Sequence, residues 1–192
     1  MKHLIIYTHP NPESFNHAIL ETVVETLDKQ GHEFRVADLY RDKFNPVLAA
    51  EDFIAFSKGE TPRDIQEYQD LIQWADNLIF IYPTWWFDRP AMLQGWIDRV
   101  LSHGFAFLED ANGFEGLMTD KSASVYITFG GKEEDIATQI GLETITGAMT
   151  LGTLELVGMS PVSVYPFYEV PTTSDENRKT MLESVRQSLT LD

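Results

Sequence analysis

Three segments of the sequence combine residue types that bind phosphates or flat aromatic rings. The first, residues 8–16, joins a short apolar run to a helix-like pattern. Free N–H groups at a helix start carry partial positive charge and suit a phosphate, and Ser14, Asn16 and His9 can add hydrogen bonds. Neither the Gly-rich dinucleotide pattern nor a Walker A pattern is present, which disfavours ATP or GTP chemistry. The alternative interpretation is that Ser14 only caps the helix, with Asn16 exposed and His9 in a loop.

The second segment is an aromatic loop after an apolar run. Trp85, Trp86 and Phe87 follow one another directly between Pro83 and Pro90. Three consecutive aromatic side chains in a loop cannot all face one core, so a flat, partly apolar ligand would offset the cost of exposing them. The alternative is that two pack under the loop while the third lies on the surface or in a subunit interface.

The third segment carries paired glycines. Thr128 and Phe129 precede Gly130 and Gly131, and paired glycines let a backbone turn sharply and approach a ligand closely. The acidic residues 133–135 that follow are interpreted as a solvated helix start, not as paired catalytic carboxylates. A Gly-Gly pair alone is weak evidence for a ligand site. Its position directly after a predicted strand strengthens that evidence.

The apolar pattern predicts the elements that position these segments. Strands are expected at 4–7, 33–38, 78–82, 123–128 and 162–167. Helices are expected at about 14–29, 64–75, 90–101 and 144–157, and after a capping box from Thr173 to Glu176. Residues 40–63 and 108–121 are the most loop-like. This alternation predicts one α/β domain over 1–192, a three-layer sandwich with a five-stranded parallel sheet and helices on both faces. Such sheets bind ligands beyond the carboxyl ends of their strands, where all three segments would meet.

The composition narrows the function classes. The formal net charge of −16 disfavours binding to nucleic acid or to an anionic membrane surface. The absence of cysteine excludes disulfides, thiol catalysis and thiolate metal sites, and fits a cytoplasmic location. The histidines lack ligand-like spacing, so no metal site is predicted. No apolar run is long enough for a signal peptide or for membrane insertion.

The motifs taken together resemble one family. It is the flavodoxin-like NAD(P)H:quinone oxidoreductases, including the short bacterial members that act as ancillary subunits of glutathione-gated potassium efflux systems. The resemblance covers residues 4 to about 166. The residues that carry it are His9, Ser14-Phe15-Asn16, Pro83-Thr84-Trp85-Trp86-Phe87, Pro90, Gly95-Trp96, Arg99-Val100, Ser102-His103-Gly104-Phe105-Ala106 and Thr128-Phe129-Gly130-Gly131.

The resemblance implies a flavodoxin-like fold, a bound flavin and a homodimer. It favours FMN, with FAD as the alternative, because the chain lacks the C-terminal extension of the long members. The residues that it places around the flavin phosphate are His9, Ser14, Phe15 and Asn16; those along the isoalloxazine ring are Pro83, Thr84, Trp85, Trp86 and Phe87; those at its polar edge are Thr128, Phe129, Gly130 and Gly131.

Two departures from the family pattern affect the chemistry. Phe129 stands where a second threonine is common, so a hydroxyl contact would be lost there while a backbone contact would remain. The tyrosine and histidine that assist hydride transfer in long animal members fall at about Ile136 and Leu142, neither of which donates a proton. The catalytic residues therefore stay unassigned.

The resulting hypothesis is a two-electron oxidoreductase. NADPH or NADH would pass a hydride to the flavin, and a quinone or similar small electrophile would then take two electrons at the same place. One alternative is a flavin-binding regulatory subunit docked on a membrane transporter. Another is a one-electron flavodoxin carrier, which the acidity favours but which the lack of a hydroxyl-rich first loop disfavours.

Overall fold

A computed structural model describes residues 1–111 and 113–189. Asn112, which falls within the predicted 108–121 loop, and residues 190–192 at the end of the predicted domain lie outside the described part. Among the described residues, no helix is long and apolar enough to cross a membrane.

A five-stranded parallel sheet forms the centre of the molecule. Numbered in chain order, its strands are β1 (Lys2–Tyr7), β2 (Glu33–Asp38), β3 (Asn77–Pro83), β6 (Ser122–Thr128) and β7 (Val162–Phe167). They lie in the order β2-β1-β3-β6-β7, with every neighbouring pair parallel. The central strand β3 is buried throughout, as an apolar run in a covered parallel sheet requires. The predicted sheet is confirmed.

Helices cover both faces of this sheet. They are α1 (Phe15–Gln30), α2 (Ala50–Ser57), α3 (Arg63–Trp74), α4 (Ala91–Val100), α5 (Glu133–Gln139), α6 (Leu142–Thr146) and α7 (Asp175–Ser188). Alternate strand residues separate into two cores: Ile5 and Ile79 pack with α1 and α7, whereas Leu4 and Phe80 pack with α3 and α4. The three-layer α/β architecture is therefore confirmed.

Residues at the two ends of α1 determine where this helix begins and ends. The Ser14 side chain accepts a hydrogen bond from the His17 N–H at the start of α1. Gly31 adopts a left-handed conformation with a φ of 74° at its end, which glycine tolerates without steric cost. Ile19, Val23 and Leu27, at helical spacing, are fully buried. The helix begins where the phosphate-type segment ends.

The prediction of one helix over 144–157 is wrong in detail. The chain forms α6, then a π-helix over Thr150–Glu155. The N–H groups of Gly152 and Leu154 reach the carbonyls five residues back at 2.9 and 3.0 Å, and the Thr153 hydroxyl donates to the Ala148 carbonyl at 2.7 Å. Hydroxyl-to-carbonyl bonds of this kind compete with the regular α-helical ladder.

Both segments predicted as loops contain secondary structure. The region 40–63 includes α2, and 108–121 overlaps an antiparallel hairpin of β4 (Phe107–Asp110) and β5 (Gly113–Gly116). The predicted cap of the last helix is shifted by one residue, because Ser174, and not Thr173, accepts from the Asn177 N–H.

A buried ion pair fastens α2 to α4. The Arg99 guanidinium in α4 donates to both carboxylate oxygens of Asp52 at 2.8 and 2.9 Å, to Asp64 at 2.6 Å and to the Asn45 carbonyl at 2.9 Å. These hydrogen bonds hold the pKa of the Asp52 carboxyl below its usual value and raise that of Arg99. Arg99 thus ties α2, α3 and the preceding loop together.

Candidate functional site

The three segments meet at the carboxyl edge of the sheet around a cavity of about 700 Å³. Ten of the thirteen residues predicted to bind the cofactor line it: His9, Ser14, Phe15, Asn16, Pro83, Thr84, Trp85, Thr128, Phe129 and Gly130. Trp86, Phe87 and Gly131 are not among the lining residues. Two loops of the site are joined directly, because the Thr84 N–H and hydroxyl both donate to the Thr128 carbonyl at 2.8 Å.

The start of α1 presents hydrogen-bond donors to this cavity. The N–H groups of Phe15 and Asn16 donate to no described residue, as expected for the first turn of a helix. His9 Nδ1 lies 3.0 Å from the Asn11 N–H and 3.2 Å from its carbonyl oxygen. When the neutral ring accepts the first of these bonds its proton is on Nε2, which is then a further donor. Burial lowers the pKa of His9, which favours a neutral ring.

Asn16 is buried in the wall of the cavity, contrary to the exposed position of the alternative interpretation. Its side chain is 3% exposed, and Nδ2 donates to the Thr128 hydroxyl at 2.9 Å. Its Oδ1 atom has no hydrogen-bond partner among the described residues. A buried acceptor without a donor costs free energy, so this atom marks a position where a ligand donor would be stabilising.

The aromatic loop is a tight turn with an uncommon backbone. Trp86 and Phe87 have positive φ angles of 54° and 59°, and the turn is closed by hydrogen bonds between Trp85 and Asp88 at 3.0 and 3.2 Å. Bulky residues rarely adopt this region, and such strain concentrates at functional sites. The turn leaves the Trp86 side chain 97% exposed, and the Trp85 ring lies 6.0 Å from the His9 ring. Trp85 and Phe87 are exposed as well, at 42% and 47%, so the alternative in which two of the three aromatic side chains pack under the loop is wrong.

Several backbone donors in the two later segments are free. The N–H groups of Trp86, Phe87, Gly130 and Gly131 donate to no residue in the described part of the chain. By contrast, the Phe129 N–H donates to the Phe167 carbonyl at 2.7 Å, and the Phe129 side chain is buried. The departure at Phe129 therefore serves packing, since its ring stacks on Tyr168 at 5.1 Å.

Sequence reasoning missed a fourth segment at the same edge. Three residues that follow β7 also line the cavity: Val170, Pro171 and Arg178. Glu13 and Ala18, in and near the first segment, complete the lining. The Arg178 guanidinium donates to the Val170 and Pro171 carbonyls and pairs with Asp175 at 2.7 Å, so it fixes this segment. The rule that found the other three segments, a loop following a parallel strand, applies equally to β7 and would have found this one.

The site contains few groups that titrate. Ile136, near which the sequence resemblance predicts the position of the long members' tyrosine, is buried and its Cδ1 packs toward Gly131. Leu142 begins α6 and is only partly buried. Tyr82 lies just before the aromatic loop, and burial raises the pKa of its hydroxyl, so that it stays protonated. Among the described lining residues, the ionisable side chains are His9, Glu13 and Arg178.

Comparisons with known proteins agree on one family. A family model described as "Flavodoxin-like fold" matches residues 1–189. A Haemophilus influenzae protein named as an uncharacterized NAD(P)H oxidoreductase is 34% identical, over 97% of this chain and 93% of its own length. A rat protein named ribosyldihydronicotinamide dehydrogenase [quinone] is 35% identical, over 98% of this chain and 90% of its own length.

A solved structure shows the same arrangement. The NAD(P)H:quinone oxidoreductase from Methanothermobacter marburgensis superposes with a TM-score of 0.89 at 33% identity. The match covers 98% of this chain and 96% of that one. The sheet order and the helices on both faces therefore belong to a known architecture.

Proposed function

The chain belongs to the flavodoxin-like fold family, and from that premise we propose that it is an FMN-dependent NAD(P)H oxidoreductase that reduces quinones or similar electrophiles. The names of its relatives support an oxidoreductase that uses a reduced nicotinamide. The cavity at the carboxyl edge of the sheet supports the cofactor, because its donors and its walls match the two chemically different ends of a flavin nucleotide.

The observation that carries the proposal is the buried, unpartnered Asn16 Oδ1 beside the free N–H groups of α1. An anion suits the free N–H groups, and a hydroxyl suits the orphaned acceptor. FMN carries both, as a phosphate on a hydroxylated ribityl chain. We propose that Ser14, Phe15 and His9 hold the phosphate and that Asn16 accepts from the chain. Local donors of this kind are needed because the net charge of −16 repels an anion.

The ring end of the flavin fits the opposite wall of the cavity. Pro83, Thr84 and Trp85 offer apolar and aromatic surface, and the turn at Trp86 and Phe87 adds backbone donors. Free N–H groups at Gly130 and Gly131 suit the polar edge of a heterocycle that gains negative charge on reduction. The proposed site is therefore backbone and aromatic in character, with Gly131, Trp86 and Phe87 contributing mainly through the main chain.

When bound, FMN supplies the chemistry by accepting a hydride and passing two electrons onward. The chain's own residues bind and orient the ring, leave one side open to the donor and then to the acceptor, and stabilise negative charge through fixed N–H dipoles. No protein acid is assigned, since the tyrosine and histidine of the long members are replaced by Ile136 and Leu142. Protons on the acceptor would come from solvent.

Two further features follow from the resemblance and are proposed with it. The enzyme is proposed to act in the cytoplasm and to form a homodimer. The regulatory-subunit alternative is not carried forward, because the names of the relatives compared point to an oxidoreductase and none mentions a transporter.

The direct test of the cofactor is the visible spectrum of the purified protein, with the released chromophore identified by mass. We expect flavin absorption bands and a mass equal to FMN, or restoration of both when FMN is added to colourless protein. A colourless protein that neither FMN nor FAD reconstitutes would contradict the proposal. Release of FAD alone would keep the oxidoreductase and correct the cofactor.

A further inference from the structure

A second cavity, of about 510 Å³, lies next to the aromatic turn and is not part of the flavin site described above. One edge is polar and formed by Arg89, Gln94 and Asp98. The rest of the lining is mainly apolar and comes from α4, the β4–β5 hairpin and the π-helix with the residues that flank it; its larger side chains are Ile97, Leu101, Phe107, Phe114 and Leu156. An apolar wall with a few convergent polar groups is typical of a small-molecule site.

Arg89 at the edge of this cavity has no acidic partner. Five other arginines pair with a carboxylate and Arg35 lies over the Trp74 ring at 4.2 Å, but within the described residues Arg89 forms no ion pair. Its guanidinium instead donates to the Gln94 side-chain oxygen and contacts the Met149 sulfur at 3.6 Å. A half-buried cation without an acid, in a protein with a net charge of −16, is a position suited to an anionic group of a ligand.

The aromatic turn places the two cavities side by side. Trp85 lines the first cavity and Arg89 lines the second, and the turn between them is closed by the hydrogen bonds that join Trp85 to Asp88. Arg89 follows Asp88 directly, so its backbone returns to the neighbourhood of Trp85. The side chains of Trp86 and Phe87, which lie between Trp85 and Arg89 in the chain, are exposed and line neither cavity.

We propose that the second cavity binds the adenosine phosphate end of NAD(P)H while its nicotinamide lies in the first. This inference rests on the proposed function and assigns the donor-binding surface of the same site. Arg89 takes a phosphate, and the adenine lies against the wall that includes the stacked rings of Phe107 and Phe114, 4.9 Å apart. Asp98, which already accepts from Gln94 at 2.6 Å, has a free oxygen for the adenine amino group.

The first test is calorimetric titration of the flavin-loaded protein with 2′,5′-ADP and, separately, with 5′-AMP. We expect Arg89→Gln to weaken binding of the phosphate that Arg89 contacts by about tenfold, the usual loss for a charge-assisted hydrogen bond. Arg89→Lys should retain part of the affinity. Arg63→Gln is the matched control, since Arg63 is an exposed arginine paired on the surface of α3. The two ligands distinguish a 2′-phosphate from a 5′-phosphate.

The second test compares NADPH with dihydronicotinamide riboside, a donor without adenosine or phosphate. In Arg89→Gln the KM for NADPH should rise about tenfold while the KM for the riboside is unchanged. An equal loss with both donors would overturn the inference, because Arg89 would then act by positioning the aromatic turn. Unchanged affinity for both nucleotides in every Arg89 variant would also overturn it. A wild-type protein that neither donor reduces would contradict the proposed function, and the titration alone would then decide the inference.

Discussion

At the scale of single residues, the site depends on atoms whose hydrogen-bond capacity the protein itself leaves unused. Asn16 Oδ1 is buried without a partner, and the N–H groups of Phe15, Gly130 and Gly131 are free among the described residues. The sequence predicted the identity of these residues because they sit at strand ends. It could not predict the burial of Asn16, which depends on Thr128 lying 112 residues further along the chain.

The Asn16→Leu variant separates function from stability. It removes an acceptor that the fold does not satisfy together with the Nδ2 hydrogen bond to the Thr128 hydroxyl, so we expect these two effects on the flavin-free protein to offset each other largely, while FMN binds about tenfold more weakly. Fluorescence titration with FMN and thermal unfolding of the flavin-free protein measure the two effects. Asn177→Ala, an exposed change on α7, should alter neither. A clear loss of flavin-free stability with unchanged FMN affinity would show that Asn16 is structural.

A pH-dependent contribution to stability is expected from His3. It is buried at the start of β1, contacts Asn77 Oδ1 at 3.3 Å and His32 Nδ1 at 2.9 Å, and burial lowers its pKa below 6.5. Because Asn77 Oδ1 is an acceptor, the His3 proton is on Nδ1, and a second proton on Nε2 would face His32. The N-terminal amine also opposes this charge, whereas Asp76 favours it.

The sign follows from the lowered pKa. The unfolded chain binds a proton at His3 more readily than the folded one, so the contribution is complete above pH 6.5 and is lost as the pH falls through the folded pKa. We expect the unfolding temperature of the wild type to fall between about pH 7 and about pH 5 more steeply than that of His3→Gln. Parallel curves for the two proteins would exclude this role for His3.

At the scale of elements, strands were the most predictable and irregular helices the least. The runs that form β1 and β3 are apolar throughout, which a covered parallel sheet demands. The π-helix depends on threonine hydroxyls and glycines that replace the regular ladder, and these give no periodic signal. Helix α2 was missed because it has no Ser or Thr at its N-cap; instead, Asp52 within the helix accepts from the N–H of Ala49, the residue before it.

The anchoring of α2 gives a stability prediction. Arg99→Met leaves the buried Asp52 carboxylate without its guanidinium, so we expect the free energy of unfolding to fall by about 3–5 kcal/mol. Urea unfolding measures the change. The control is Arg186→Met, which removes an exposed pair with Glu183 and should cost less than about 1 kcal/mol. Equal small losses in both variants would mean that the Arg99 cluster does not anchor α2.

At the scale of the whole molecule, the order β2-β1-β3-β6-β7 gathers four loops at one edge of a strongly acidic protein. Alternation of strands and helices predicted that the three chosen loops would meet, because parallel strands share one carboxyl edge. It did not predict the strand order. It also did not predict that the segment after β7, with Arg178, lines the cavity. The overall negative charge is consistent with the proposed phosphate contacts, which use helix N–H groups and single cationic side chains.

The most direct test of the account is anaerobic titration of the flavin-loaded protein with NADPH or NADH, followed by addition of a simple quinone, with flavin absorption monitored throughout. We expect one equivalent of donor to bleach the flavin fully in a two-electron step, and one equivalent of quinone to restore the oxidised spectrum. A flavin that remains oxidised with excess of either donor, or a reduced flavin that the quinone does not reoxidise, would contradict assignment as an NAD(P)H:quinone oxidoreductase.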